Sequence, residues 1–172
     1  IDLGKSRTKI GIIMFGVDTD VYKKSNPIFS NINNIVIGSN RKLESIYDVK
    51  TLLIAVKEIC KDYSNIKIKI AGDGSLKEKY INFVKKNKLE SKIKFLGLLN
   101  KEEMINFYDS IDIYVSTALS DGGLSSSTAE AMSFERLVLV TNNSDNKYWI
   151  NNGKNGFLFE NKNFNQLIKI IK

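Results

Sequence analysis

The chain has 172 residues, 42% of them hydrophobic, which is enough for one full-sized core and short of two. A single cysteine, Cys60, rules out an internal disulfide, and the complete lack of histidine removes the usual zinc sites, Ser-His-Asp triads and imidazole bases. The net charge of +7 suits phosphorylated substrates, nucleic acid or an anionic membrane face, and does not choose among them.

The lysines are spread along the chain. Their one cluster, Lys85, Lys86 and Lys88, reads as a solvated helix face, and no basic run is interleaved with aromatics, so no nucleic-acid partner is expected. No signal peptide opens the chain, and no apolar run approaches the roughly 20 residues that span a bilayer. The expectation is a cytoplasmic chain, with peripheral contact at the inner membrane face left open. It begins abruptly at Ile1-Asp2-Leu3 and ends inside a helical pattern, Ile170-Ile171-Lys172, which suggests a fragment of something longer.

Taken in order, residues 9–14 form a short apolar run, and Phe15-Gly16-Val17-Asp18-Thr19-Asp20 marks a turn. Residues 23–34, with the only proline at Pro27, read as a polar surface loop. Ile35-Val36-Ile37-Gly38 is the first clear core strand, running into Ser39-Asn40-Arg41-Lys42. A guanidinium just past the carboxyl end of a parallel strand is well suited to a diphosphate, which makes Arg41 a site candidate against the plainer reading of a surface arginine.

Val49, Leu52, Leu53, Val56, Ile59 and Cys60 recur at helical spacing, predicting a helix over 48–61 with Asp48 as N-cap and Cys60 as a small core residue. Residues 66–71 alternate apolar and polar, as a half-wet strand does. Gly72-Asp73-Gly74 then opens a helix over about 76–86. The Gly-x-Gly fails as a dinucleotide fingerprint, since Lys77 stands where the third glycine would fall, and no Walker-type Gly-Lys-Ser or Gly-Lys-Thr occurs. Residues 93–96 give the next strand, and Asn100 can cap a helix carrying Met104, Phe107 and Tyr108.

Residues 111–141 read as strand, glycine loop, short helix and strand, around which the rest can be placed. Ile111, Ile113 and Val115 mark one strand, and the apolar run 137–140 the other. Between them, Gly122 and Gly123 let the backbone approach a ligand, while Ser125, Ser126 and Ser127 stand where helix N–H groups favour an anion. Glu130 follows one turn into the helix. The plainer reading is a capping box over Ser127-Thr128-Ala129-Glu130, with glycines that only turn the chain. After Thr141 the chain is polar until Trp149. A turn-rich loop, residues 151–156, leads into Gly156-Phe157-Leu158-Phe159, and a last helix starts at Phe164. The alternation implies an α/β fold, a parallel sheet with helices on both faces wound right-handed.

Ser120-Asp121-Gly122-Gly123-Leu124 together with Glu130-Ala131-Met132 resembles the signature of retaining glycosyltransferases of the two-domain GT-B fold, especially the family-four bacterial sugar transferases. The resemblance runs from about Lys9 to the end and implies a Rossmann-like domain, the C-terminal donor-binding half of that fold. It implies that Arg41, Asp121, Gly122, Gly123, Leu124, Ser125 and Ser126 hold the sugar and diphosphate of a nucleotide-sugar donor, with no metal or other cofactor. It also implies that Glu130 binds the ribose hydroxyls and that Leu99, in Phe95-Leu96-Gly97-Leu98-Leu99, meets the base.

Three departures stand out. Asp121 and Glu130 enclose eight residues where the family usually has seven. Tyr47 stands in the region where the family places a lysine after its arginine, and Phe15 stands where the family's Asn-Gly-Val-Asp segment has its asparagine.

The resulting expectation is one nucleotide-sugar-binding domain over residues 1–172. It would serve a hexosyltransferase of bacterial surface polysaccharide synthesis, with a glycan or lipid-linked acceptor held by an absent N-terminal domain. No one catalytic residue stands out, and a half-site alone is expected to be a poor catalyst. The alternatives are a sugar-nucleotide epimerase-like domain and a non-catalytic nucleotide or nucleic-acid binding module.

Overall fold

The computed structural model describes residues 16–25, 34–121, 123, 125–143 and 145–172. The apolar run 9–14, Phe15 and Pro27 lie outside them. The turn expected after Phe15 is present: Asp18 Oδ1 accepts from the N–H groups of Asp20 (3.0 Å) and Val21 (3.2 Å).

Six strands, β1 (Ile35–Ser39), β2 (Ile66–Ala71), β3 (Ile93–Gly97), β4 (Ile113–Ser116), β5 (Leu137–Thr141) and β6 (Phe157–Phe159), form one sheet in the order β3-β2-β1-β4-β5-β6. Every neighbouring pair is parallel. The helices are α1 (Val49–Asp62), α2 (Lys77–Lys86), α3 (Lys101–Asp109), α4 (Ser126–Ser133), α5 (Asn146–Trp149) and α6 (Phe164–Ile171). A single 3-10 turn, Ser45–Tyr47, precedes α1.

Strand alternation sorts the apolar residues into two layers. Ile37, Ile68, Ile70, Ile113, Val115, Leu139 and Phe159 meet α1, α2 and α6 through Leu52, Leu53, Val56, Tyr80, Val84 and Leu167. Ala71, Tyr114, Val138 and Val140 meet α3 and α4 through Phe107, Tyr108, Ala131 and Phe134, with Ile150 just beyond α5. Each fully buried Leu, Ile or Phe in these layers contributes about 1.5–3 kcal/mol of transfer free energy. Cys60 packs half-buried against the first layer, where burial pushes its thiol up and away from thiolate chemistry. Lys85, Lys86 and Lys88 are exposed at the end of α2, where cations complement the negative end of the helix dipole.

Predicted and observed elements agree closely, with two local differences. Asp48 does precede α1, but in a left-handed conformation (φ 41°), and its carboxylate accepts from Thr51 Oγ1 (2.6 Å) instead of capping backbone N–H groups. Within the polar stretch before Trp149, Asn146–Trp149 forms the short helix α5. Asn100 caps α3 as expected, in a full capping box with Glu103.

Candidate functional site

In an open parallel sheet, ligands bind outside the carboxyl ends of the strands where the strand order reverses. Here that point lies between β1 and β4. Arg41 follows β1, and the loop 117–125 follows β4, so both reach the same crevice.

The two loops are fastened together. Leu119 N–H donates to Ile46 O (2.8 Å) and Thr117 Oγ1 to Tyr47 O (3.0 Å), joining the β4 loop to the 3-10 turn. Asn143 and Thr141 side chains both donate to Ala118 O (2.5 Å), and Asn161 Nδ2 donates to Leu119 O (3.1 Å), holding the loop from the β5 side. On the other side, Leu43 N–H donates to Asp73 O (3.0 Å) and Leu76 N–H to Leu43 O (2.9 Å).

This explains the Gly-x-Gly. Gly72 has φ +124°, and a Cβ there would stand 2.4 Å from Arg41 O, so only glycine lets the β2 turn lie against the segment carrying Arg41.

Arg41 is 8% exposed, as is Asp121. Arg41 Nη2 donates to Asp121 Oδ1 and Nη1 to Ser125 Oγ, while the guanidinium carbon lies 4.6 Å from the centre of the Tyr47 ring. Tyr47 therefore stacks on Arg41. Burial opposes the Arg41 charge, but Tyr114 and Asp121 outweigh it and hold the guanidinium above its ordinary value. Burial pushes the Asp121 carboxyl up, with Arg41 pulling against it. Arg41 Nε is buried and has no hydrogen-bond partner among the described residues.

Gly123 takes φ +79° inside the turn; Gly122 and Leu124 lie outside the described residues. Helix α4 starts at Ser126 with Ser125 as N-cap; the Ser125 side chain makes no cap hydrogen bond, and its hydroxyl accepts from Arg41. The capping-box reading of Ser127 and Glu130 therefore does not hold: Glu130 is the fifth residue of α4, beyond reach of the cap. Its Oε2 accepts instead from the Tyr108 hydroxyl (2.6 Å), which in turn accepts from Asn40 Nδ2 (2.7 Å). Burial raises the Glu130 carboxyl above its ordinary value of 4.5, and the Tyr108 hydrogen bond partly offsets this.

The fold thus gathers Arg41, Asp121, Ser125 and the α4 N-terminus, and links Glu130 to them through Tyr108 and Asn40. Leu99 stands on the same edge of the sheet but two strands further out, beside Gly97, whose carbonyl accepts from Gly72 N–H (2.7 Å). Sequence reading gave Asn40 no role and placed Tyr108 only on the helix that Asn100 caps. A buried tyrosine hydroxyl seeks a partner, and that was the signal available.

Architecture and sheet order define a Rossmann-like α/β domain. The chain belongs to the family of glycosyl transferases group 1, whose sequence model matches residues 21–172. No curated protein matches it by sequence. Among solved structures it is similar to TarM of S. aureus (TM-score 0.80, 22% identity), covering 91% of this chain and 30% of that one. It resembles HepE of Anabaena, solved in complex with UDP and glucose (TM-score 0.77, 21% identity, 91% of this chain and 44% of that one). The C-terminal domain of a glycosyl transferase group 1 family protein, LpcC, from Francisella tularensis matches over 91% of this chain and 86% of its own (TM-score 0.80, 21% identity). The chain therefore spans under half the length of TarM and HepE, and nearly all of that isolated C-terminal domain.

Proposed function

We propose that this chain is the donor-binding domain of a retaining glycosyltransferase that moves a hexose from a nucleoside diphosphate to a glycan or lipid-linked acceptor. The carrying observation is the buried Arg41 guanidinium, with Nε unpartnered among the described residues, beside the N-terminus of α4 at the β1–β4 switch point.

When a sugar leaves its nucleotide, negative charge gathers on the diphosphate. A fixed guanidinium and helix N–H groups in a water-poor crevice stabilise that charge without reorganising. Among the described residues, no group of three or more acidic or cysteine side chains is placed to hold a metal ion. In this reading Arg41 and the α4 N-terminus carry the charge, and Glu130 receives the ribose hydroxyls. Gly122, Gly123, Leu124, Asp121 and Ser126 border the sugar and diphosphate, and Leu99 borders the base. UDP bound to HepE supports a uridine nucleotide as the first donor to try.

The acceptor side belongs to a second domain facing the crevice, as in GT-B enzymes, and the chain by itself transfers sugar poorly. A role in bacterial surface polysaccharide synthesis, on the cytoplasmic side of the membrane, completes the proposal. Among the described residues no helix is long and apolar enough to cross a bilayer.

Thermal unfolding with UDP, GDP, ADP, CMP and NAD tests the reading. A ligand at a hundredfold its Kd adds about 2.7 kcal/mol, a rise of several degrees for a domain this size. One nucleoside diphosphate should stabilise the chain, and Arg41→Ala and Glu130→Gln should abolish the shift. If none does so, the second reading, a non-catalytic module, gains. The Asp121 and Ser125 contacts that already occupy Arg41 favour that reading over an epimerase.

A further inference from the structure

Tyr108 is fully buried in α3, and its ring is fixed on several sides. It stacks on Phe134 with centroids 5.5 Å apart and meets Phe107, Tyr114 and Tyr22 at 5.3, 6.2 and 6.5 Å. A phenylalanine would fill the same space, so packing alone does not call for the hydroxyl. That hydroxyl lies 3.2 Å from Ser127 O and 2.6 Å from Glu130 Oε2, and the single proton goes to the shorter, charge-assisted bond. Asn40 Nδ2 donates to the same oxygen, and Asn40 immediately precedes Arg41. A continuous path therefore runs from the segment carrying Arg41, through a buried ring packed among four aromatics, to one oxygen of the Glu130 carboxylate. It occupies Oε2 and leaves Oε1 for a ligand.

We propose that Tyr108, held by Asn40, is a positioning residue that fixes the Glu130 carboxylate so that the site selects ribonucleotides over nucleotides lacking the ribose hydroxyls. This rests on the reading of Glu130 as the ribose acceptor. A diol needs an acceptor whose lone pairs are aimed before it arrives. A free glutamate in α4 would have to give up side-chain entropy on binding, and Tyr108 removes that cost in advance.

The test is binding of UDP and 2′,3′-dideoxy-UDP, and of the corresponding guanosine pair, to the full chain as wild type, Tyr108→Phe, Asn40→Ala and Glu130→Gln, at several pH values. Hydrogen bonds to a charged acceptor should make the wild type prefer the ribonucleotide by roughly tenfold or more. Tyr108→Phe should weaken the ribonucleotide several-fold more than the dideoxy analogue. The pH at which the preference sets in should rise, because the carboxylate has lost its donor. Asn40→Ala leaves the ring in place, so it should show the same change in smaller measure and keeps the idea testable if Tyr108→Phe unfolds.

Equal weakening of both ligands, with an unmoved pH profile, would mean that Tyr108 is core packing only, and the proposal would be lost. A preference undiminished in Glu130→Gln, or a wild type with no preference or no binding, would instead overturn the ribose reading itself and the proposal with it.

Discussion

The Arg41 guanidinium and the Asp121 carboxylate form a buried ion pair across the crevice between β1 and β4. The two residues are 80 positions apart in sequence, and each is 8% exposed. Removing one partner of such a pair leaves the other charge buried and unmatched, typically at about 3–5 kcal/mol. Asp121→Ala should therefore lower stability by that order in urea unfolding. Asp121→Asn keeps an acceptor for Arg41 while removing the competing charge, so it should fold and bind nucleoside diphosphate more tightly than wild type. Unchanged UDP affinity in that variant would show that Asp121 does not compete for Arg41.

Tyr47 gives a separate test of how Arg41 is held. A guanidinium over an aromatic ring at 4.6 Å contributes about 0.5–2 kcal/mol, rising as the pair is desolvated. Tyr47→Phe retains the ring and should leave thermal stability nearly unchanged. Tyr47→Ala should destabilise by roughly 1 kcal/mol and weaken nucleotide binding as Arg41 loosens.

Gly72→Ala should damage the site without touching it. The added Cβ meets the Arg41 carbonyl at 2.4 Å, and the φ of +124° is unfavourable to any side chain. Strain of this kind costs about 1–3 kcal/mol. Because the clash falls on the backbone of Arg41, nucleotide affinity should fall together with the melting temperature. Gly153→Ala is a useful control: its φ is also positive (+80°), but a Cβ there meets nothing within 4 Å, so only stability should change.

Glu130 carries a pH signature. Burial raises its carboxyl above 4.5, so the folded chain holds a proton that the unfolded chain has released. Its contribution to stability therefore falls as pH rises through the raised value. Glu130→Gln cannot titrate there. Urea unfolding of both proteins between about pH 4 and pH 7 should show the variant gaining on wild type as pH rises.

Local chemistry made most of the fold legible. Alternation at 66–71, the apolar run at 137–140 and the helical spacing from Val49 to Ile59 each correspond to an observed element, and Asn100 caps its helix as read. The serines were harder. Ser125, Ser126 and Ser127 are equally good caps on sequence grounds. Arg41, which takes the Ser125 hydroxyl, arrives from a strand 84 residues away in register. With α4 starting at Ser126, Glu130 falls in the fifth helical position, and its carboxylate accepts from Tyr108 instead of closing a capping box.

By itself the sequence determined the strands, the helices and their alternation, because backbone propensity and apolar period act over a few residues. It also carried the family signature around Gly123 and Glu130. Only the tertiary structure decided which polar groups meet. The reversal of strand order between β1 and β4 sets Arg41 against Asp121, Ser125 and Tyr47, and sets Asn40 beside Tyr108 and Glu130. Those contacts depend on how two strands more than 70 residues apart come to lie side by side (Ile37 pairs with Ile113), which no local pattern encodes.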